Sequence, residues 1–368
     1  MKGSRRKKGP ERDQPDVMSP ETGRRSELDQ RSGEILRMVV DGFIRHAQPI
    51  SSMYITENYP IGLSSATVRS IFATLEKEGF LYSPHRSSGR VPTEPGYRYY
   101  VENLPSTRHL QEEEQRLIQQ EYLRRDFNIN DILDETARLL STITRYASVV
   151  MGPVPAQAVL KHVELIDMGE DEVLVILVTR AGTVLSRSVF LENRVPGDYL
   201  REISRQLNYL FKGMDLAEMR EQLVRGQNSV MGPSRYFPMI ARTIAENFDS
   251  VQGKEQLFVH GIENLMNNIA NEPGIRMSEV GHLLESKEIF RTLLKDIMVG
   301  EGVEVFIEGD HDNRLTGLSI VAGSYKMGEK KIGSLGVIGP NRMDYLRVVS
   351  SVDYIRRVVS NLITRMSN

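Results

Sequence analysis

Between residues 64 and 77 the chain places Ala66, Arg69, Ser70, Ala73 and Thr74 along one side of a helical repeat, with Ser64, Ser65 and Thr67 at its start. Those residue types suit one kind of chemistry, hydrogen bonding to base edges in the major groove of DNA. Small side chains let a helix come close, and hydroxyl and guanidinium groups then reach the donors and acceptors of the bases. Arg69 and Ser70 are the expected base readers. A second group follows at His85, Arg86, Ser87, Ser88, Gly89 and Arg90, a tip with two arginines and no acid. Cations there neutralise phosphate, and Ser and Gly let backbone N–H groups approach it. Arg86 and Arg90 are therefore expected on phosphate or in the minor groove. Arg98 completes the candidate DNA-binding set. An ordinary amphipathic helix with a solvated back would account for the first group taken alone. The basic tip directly behind it favours DNA contact.

The elements that must hold these groups are legible around them. Val68, Ile71, Phe72 and Leu75 make an apolar stripe opposite the polar face. Gly62 supplies a turn before this helix, Ser64 or Ser65 caps it, and Gly79 ends it. Phe80-Leu81-Tyr82 reads as a short strand, and Val91-Pro92 closes the hairpin. Upstream, Ile35, Leu36, Val39, Val40, Phe43 and Ile44 form the apolar side of a first helix that ends before Pro49. Ser51 or Ser52 starts a second helix, whose Tyr54, Ile55 and Tyr59 are expected to pack beneath the third. A helix-like run starts at Thr93 and reaches Leu104. The order over residues 28–104 predicts a winged helix-turn-helix.

Composition narrows the remaining possibilities. A chain of 368 residues is long for one domain, and its net charge of −2 means that DNA affinity must come from local patches. It has no cysteine, which removes disulfides, thiolate nucleophiles and Cys-ligated zinc. The longest unbroken apolar run, residues 173–178, is far shorter than the ~20 residues of a membrane span, and no secretory h-region is visible. A cytoplasmic protein without membrane contact is expected. Residues 1–27 carry Lys2, Arg5, Arg6, Lys7 and Lys8 ahead of Pro10, Pro15 and Pro20, and read as a disordered basic tail. That tail either adds non-specific DNA affinity or has no role.

Behind the DNA-binding unit, residues 111–125 read as a solvated, charged linker helix, followed by a helix through Ile132, Ala137, Leu140 and Ile143 and a strand at residues 148–151. Three strands at 160–168, 173–179 and 184–191 are separated by hairpin-like turns. Helical patterns then run over 199–211, 216–224 and 237–248. A strand at 257–259, helices at 262–269 and 280–298, and strands at 303–307, 318–325 and 332–338 follow. A terminal helix buries Leu346, Val349, Val352, Ile355, Val359 and Leu362. No catalytic constellation is present. The Gly-rich segment 333–339 lacks the Gly-Lys-Ser/Thr of a phosphate loop and reads as strand and turn. Asp310-His311-Asp312 reads as an exposed turn rather than a metal site, and His162, His260 and His282 as packing or surface residues. No metal and no cofactor are expected, and an enzyme is not.

Two separated signatures carry a family resemblance. The first is Leu63-Ser64-Ser65-Ala66-Thr67-Val68-Arg69, then Leu75-Glu76, Pro84-His85, Ser87, Gly89-Arg90-Val91-Pro92-Thr93 and Gly96-Tyr97-Arg98. The second is Leu335-Gly336-Val337-Ile338-Gly339-Pro340, then Arg342-Met343-Asp344-Tyr345 and Val352-Asp353-Tyr354. Over about residues 28–368 the chain resembles the HrcA family, heat-inducible repressors of bacterial chaperone genes. Ser70 and Ile71 stand where the family usually has Asn and an acid, and Ser52 stands where Gly is common. Such departures bear on the operator sequence rather than on DNA binding.

The resemblance implies a GAF-like α/β domain from residues 105–153 and 256–368, and an inserted α+β dimerising domain at 154–255, giving an α+β protein overall. It also implies a homodimer on an inverted-repeat operator in double-stranded DNA, held active by a GroE-type chaperonin. The alternative is a ligand-sensing regulator that uses the GAF-like domain, a weaker inference from fold alone.

Overall fold

The computed structural model describes residues 28–85, 88–105, 110–123, 128–153, 158–180, 182–226, 235–247, 256–270, 272, 275, 280–281, 291–292, 294–295, 297, 300–307 and 317–367. Helix α1 (Gln30–His46) begins where the Asp29 carboxylate accepts the Ser32 amide at 3.0 Å, and it stops at Ala47 with a left-handed φ of 56°. Its stripe of Ile35, Leu36, Val39 and Val40 packs with Ile55 of α2 (Ser52–Asn58) and with Val68, Phe72 and Leu75 of α3 (Ser65–Lys77). Burying each such side chain is worth about 1.5–3 kcal/mol, so this cluster rather than helix propensity holds α3 in place. Gly62 and Gly79, at φ 62° and 84°, make the turn before α3 and its exit. Tyr54 and Tyr59 pack, partly buried, against the same cluster. They turn to α1, where the Tyr59 hydroxyl donates to Asp41 at 2.8 Å and the Tyr54 hydroxyl pairs with the His46 ring at 3.0 Å. Strand β1 (Leu81–Tyr82) pairs antiparallel with β2 (Val91–Pro92), and α4 (Glu94–Glu102) follows from a Thr93 cap.

Helix α5 (Glu112–Leu123) corrects the reading of a solvated linker. Ile118 and Tyr122 are buried, and the Tyr122 hydroxyl hydrogen-bonds Thr136 at 2.7 Å on α6 (Ile129–Thr144). Three glutamates in its first turn hid a narrow apolar seam. Strand β3 (Ala147–Met151) is wholly buried. The chain then builds a separate three-stranded antiparallel sheet, β4 (Leu160–Gly169), β5 (Glu172–Thr179) and β6 (Val184–Phe190), in sequence order. One face of it packs with α7 (Gly197–Phe211), α8 (Leu216–Gly226) and α9 (Phe237–Glu246) in an apolar cluster confined to residues 160–245.

Strand β7 (Leu257–His260) returns to β3, and α10 (Ile262–Ile269) follows. Strands β8 (Val303–Ile307), β9 (Leu318–Met327) and β10 (Lys330–Pro340) complete a five-stranded antiparallel sheet of order β7-β3-β10-β9-β8. The period of two splits its side chains. Val150, Val321, Leu335 and Val337 face α6 and the terminal helix α11 (Tyr345–Ser367), whereas Val149, Ile320, Ala322 and Ile338 face Leu265, Ile269, Leu294 and Ile297. The segment 333–339 lies inside β10. Gly333 leaves room for Tyr325, whose hydroxyl a Cβ there would approach to 2.3 Å and which donates to the Met151 carbonyl at 2.9 Å. On α11 the deepest residues are Tyr345, Val348, Val352, Ile355, Val359 and Ile363, and the expected Leu346, Val349 and Leu362 flank them half-buried. The helix is covered by α5 and α6 as well as by the sheet, which widens and rotates its buried stripe. Among the described residues no helix is long and apolar enough to cross a membrane. Residues 1–27, His282 and residues 310–312 lie outside the described residues.

Candidate nucleic-acid interface

The N-terminus of α3 is tied by hydroxyl groups. Ser64 is the cap: its Oγ accepts the Thr67 amide at 3.2 Å and pairs with the Thr67 hydroxyl at 2.9 Å. Ser65 is not the cap. Its hydroxyl pairs with that of Ser52 at 2.8 Å, linking α2 to α3 across the turn. Beyond the cap, Ala66, Thr67, Arg69, Ser70, Ala73 and Thr74 are all exposed, opposite the buried Val68, Phe72 and Leu75. Thr74 donates to the Ser70 carbonyl at 3.3 Å, which leaves its methyl outward and its hydroxyl on the backbone. Among the described residues Arg69 has no ion-pair partner, so its guanidinium is available to a ligand.

Around the ribbon the Ser88 hydroxyl accepts the His85 amide at 2.9 Å and donates to the His85 carbonyl at 2.7 Å, closing a local turn. Arg86 and Ser87 lie outside the described residues. Gly89 and Arg90 sit at the base of the ribbon, where Arg90 exchanges backbone bonds with Ile50 at 2.8 and 2.9 Å. The Arg90 guanidinium meets Glu76 of α3 at 2.9 Å. Arg98 lies on α4, paired with Glu94 at 2.7 Å, and its charge is felt at Tyr345 of α11. The structure thus brings Ser64, Ala66, Thr67, Arg69, Ser70, Ala73 and Thr74 together on α3, with the ribbon at its last turn.

Sequence reasoning missed Glu76 and Ser52 as partners of this surface. An acid at the end of an otherwise cationic and neutral face was the signal for the first, because an unpaired carboxylate there would repel a polyanion. Ser52 carried no signal, since a hydroxyl at the start of a helix is ordinary.

The α3 unit is joined to the rear body through Arg342. Its Nη1 donates to the Ile44 carbonyl of α1 at 3.4 Å, while its Nε is held by Glu272 of the same rear body at 2.7 Å. Beside it the Tyr345 ring lies 6.4 Å from both Tyr97 and Tyr100. Burial holds the Tyr97 and Tyr345 hydroxyls well above the usual range, and pushes Tyr100 up to about 12. These groups remain neutral hydrogen-bonding side chains. A cleft of about 460 Å³, lined by Arg37, Asp41, Tyr59, Tyr100 and Leu346 among others, opens along the same junction.

The model of the HrcA protein C-terminal domain matches residues 130–349. The heat-inducible transcription repressor HrcA of Leptospira biflexa is 37% identical over 345 residues, spanning 93% of this chain and 99% of that protein. The repressor of the same name from Geobacter sulfurreducens is 32% identical over 340 residues, spanning 92% and 99%. A solved structure of a hypothetical protein superposes with a TM-score of 0.57 at 25% identity, over 92% of this chain and 100% of that one. The class is a transcription repressor, a regulator rather than an enzyme. More particularly, the chain belongs to the HrcA family.

Proposed function

We propose that this chain is a cytoplasmic repressor that binds an inverted-repeat operator upstream of heat-shock chaperone operons as a homodimer. The exposed face of α3 carries the reading: small and hydroxyl side chains with one arginine that has no ion-pair partner among the described residues, on a helix fixed by its cap and by a buried stripe. Residues 28–104 act as a winged helix-turn-helix, and α3 enters the major groove. Arg69 and Ser70 read bases, and the His85–Ser88 turn lies beside the backbone. Residues 105–153 and 256–368 form a GAF-like domain with a five-stranded sheet between helices, interrupted by the 154–255 insertion.

Dimerisation is supported by the outer face of the inserted sheet. Ile166 and Val184 are exposed there, Phe190 is 75% exposed, and Leu174, Ile176 and Val178 lie between them only half-buried. Tyr209 on α7 is 89% exposed. An apolar surface of this kind favours a partner, and a two-fold dimer matches a two-fold operator. A GroE-type chaperonin keeps the repressor active, so that unfolded proteins competing for it release the chaperone genes. The DNA reading is tested by gel shifts of Arg69→Ala against wild type on the upstream region of the genome's chaperonin operon. Loss of a base-reading arginine should cost about 1–3 kcal/mol and relax specificity. Wild-type binding by the variant would remove Arg69 from the interface.

A further inference from the structure

We propose that Arg90 is a positioning residue that fastens the ribbon to α3, and that it does not contact phosphate. The proposal rests on reading α3 and the ribbon as the DNA face. Arg90 stands in a basic turn, where its sequence context alone suggests phosphate. Its surroundings direct it elsewhere. Its backbone is pinned on both sides by Ile50, through N–H and C=O bonds of 2.8 and 2.9 Å. The preceding Gly89 is pressed against the same loop, where an added Cβ would collide with the Ile50 carbonyl, so the backbone ahead of Arg90 is held close to it. The side chain is 21% exposed, its Nη2 lies 2.9 Å from Glu76, and its Nε is buried without a hydrogen-bond partner among the described residues.

Glu76 gives the pair its purpose. This carboxylate lies in the last turn of α3, 37% exposed and next to the surface that meets DNA. Unpaired, it would repel a phosphate backbone. Paired with Arg90, its charge is cancelled locally, and the pair sets the separation of the ribbon from α3. Groove contacts by Arg69 and backbone contacts by His85 and Ser88 must fit one duplex at once, so that separation governs whether both can form.

The pair makes opposite predictions from a phosphate contact, which allows a direct test. Full-length wild type, Arg90→Met, Glu76→Gln, the double variant and Arg69→Ala are titrated with the chaperonin-operon upstream duplex from 50 to 300 mM salt. Circular dichroism checks that each variant is folded. Each single substitution at the pair should weaken binding on the order of tenfold, Arg90→Met somewhat more because it also uncovers the carboxylate, and the double should weaken it no further than Arg90→Met, because both remove one coupling. The dependence of log K on log salt should keep the wild-type slope. A phosphate contact would instead flatten the slope by about 1 in Arg90→Met. It would also make Glu76→Gln bind more tightly, since an opposing charge is gone; either result overturns the proposal. If Arg69→Ala weakens binding and the pair variants do not, the positioning role fails while the DNA face stands. If none of the variants changes binding, the DNA face itself is misplaced.

Discussion

Arg342→Met would remove an ion pair inside the rear body, and with it the longer bond by which this arginine reaches the α3 unit, while leaving the stem to pack. The side chains of Arg342 and Glu272 are 23% and 16% exposed, and their nearest approach is 2.7 Å through a charge-assisted bond. Breaking such a pair loses a hydrogen bond to a charged group, about 1.5–3 kcal/mol, and leaves Glu272 with a poorly hydrated charge. The Ile44 carbonyl loses its longer bond at the C-terminal turn of α1. We expect a total loss of roughly 3 kcal/mol and a drop of about 5 °C or more in the midpoint of thermal unfolding. The chain has 14 tyrosines and no tryptophan, so near-ultraviolet circular dichroism reports its tyrosines, those of this junction among them, without a tryptophan signal. Glu272→Gln should cost less, because it keeps the shape and removes the charge, and a double-mutant cycle should recover a coupling of at least 1 kcal/mol. A loss under about 0.5 kcal/mol for Arg342→Met would refute the reasoning, because it would make the contact an exposed pair of the kind that contributes little.

Three further outcomes are expected. Ser64→Ala should lower stability by about 1 kcal/mol through loss of the α3 cap, whereas Ser64→Asp should keep the cap and the stability yet weaken operator binding by placing a negative charge on the DNA face; chemical denaturation and gel shifts separate the two effects. Replacing residues 154–255 by a short linker should give a monomer with much weaker operator binding, and a variant that still sediments as a dimer would move the interface elsewhere. Mild heating should abolish operator binding with aggregation, and chaperonin with ATP should restore it. Full spontaneous recovery on cooling would sink the chaperonin-dependent mechanism, and rescue by a small metabolite alone would favour the ligand-sensing alternative.

How much of this could be read from the chain follows from the range of each interaction. The face of α3 was legible because cap, stripe and terminating glycine all lie within one stretch of helix, where a period of 3.6 fixes every orientation. The strands of the five-stranded sheet were legible one by one, but not their order. That order joins β3 to β10 across 185 positions of chain, by register pairs such as Val150 with Leu335. Helix α5 was misread because only a few of its positions, Ile118 and Tyr122 among them, meet the core, and the surrounding glutamates dominate the average. The stripe of α11 was rotated because covering helices extend its buried arc beyond the sheet contact. The ion pairs of Arg90 with Glu76 and of Arg342 with Glu272 depend on tertiary placement, and no local pattern announces them.

The most direct test is footprinting of the purified full-length chain on the upstream regions of the chaperone operons of its own genome, at several salt concentrations. One protected stretch centred on an inverted repeat is expected, with two equivalent halves spaced by whole turns of the duplex, and it should disappear with Arg69→Ala under the same conditions. Uniform, salt-sensitive coverage without a symmetric protected site, unchanged by Arg69→Ala, would contradict the assignment of a sequence-reading repressor that uses the exposed face of α3.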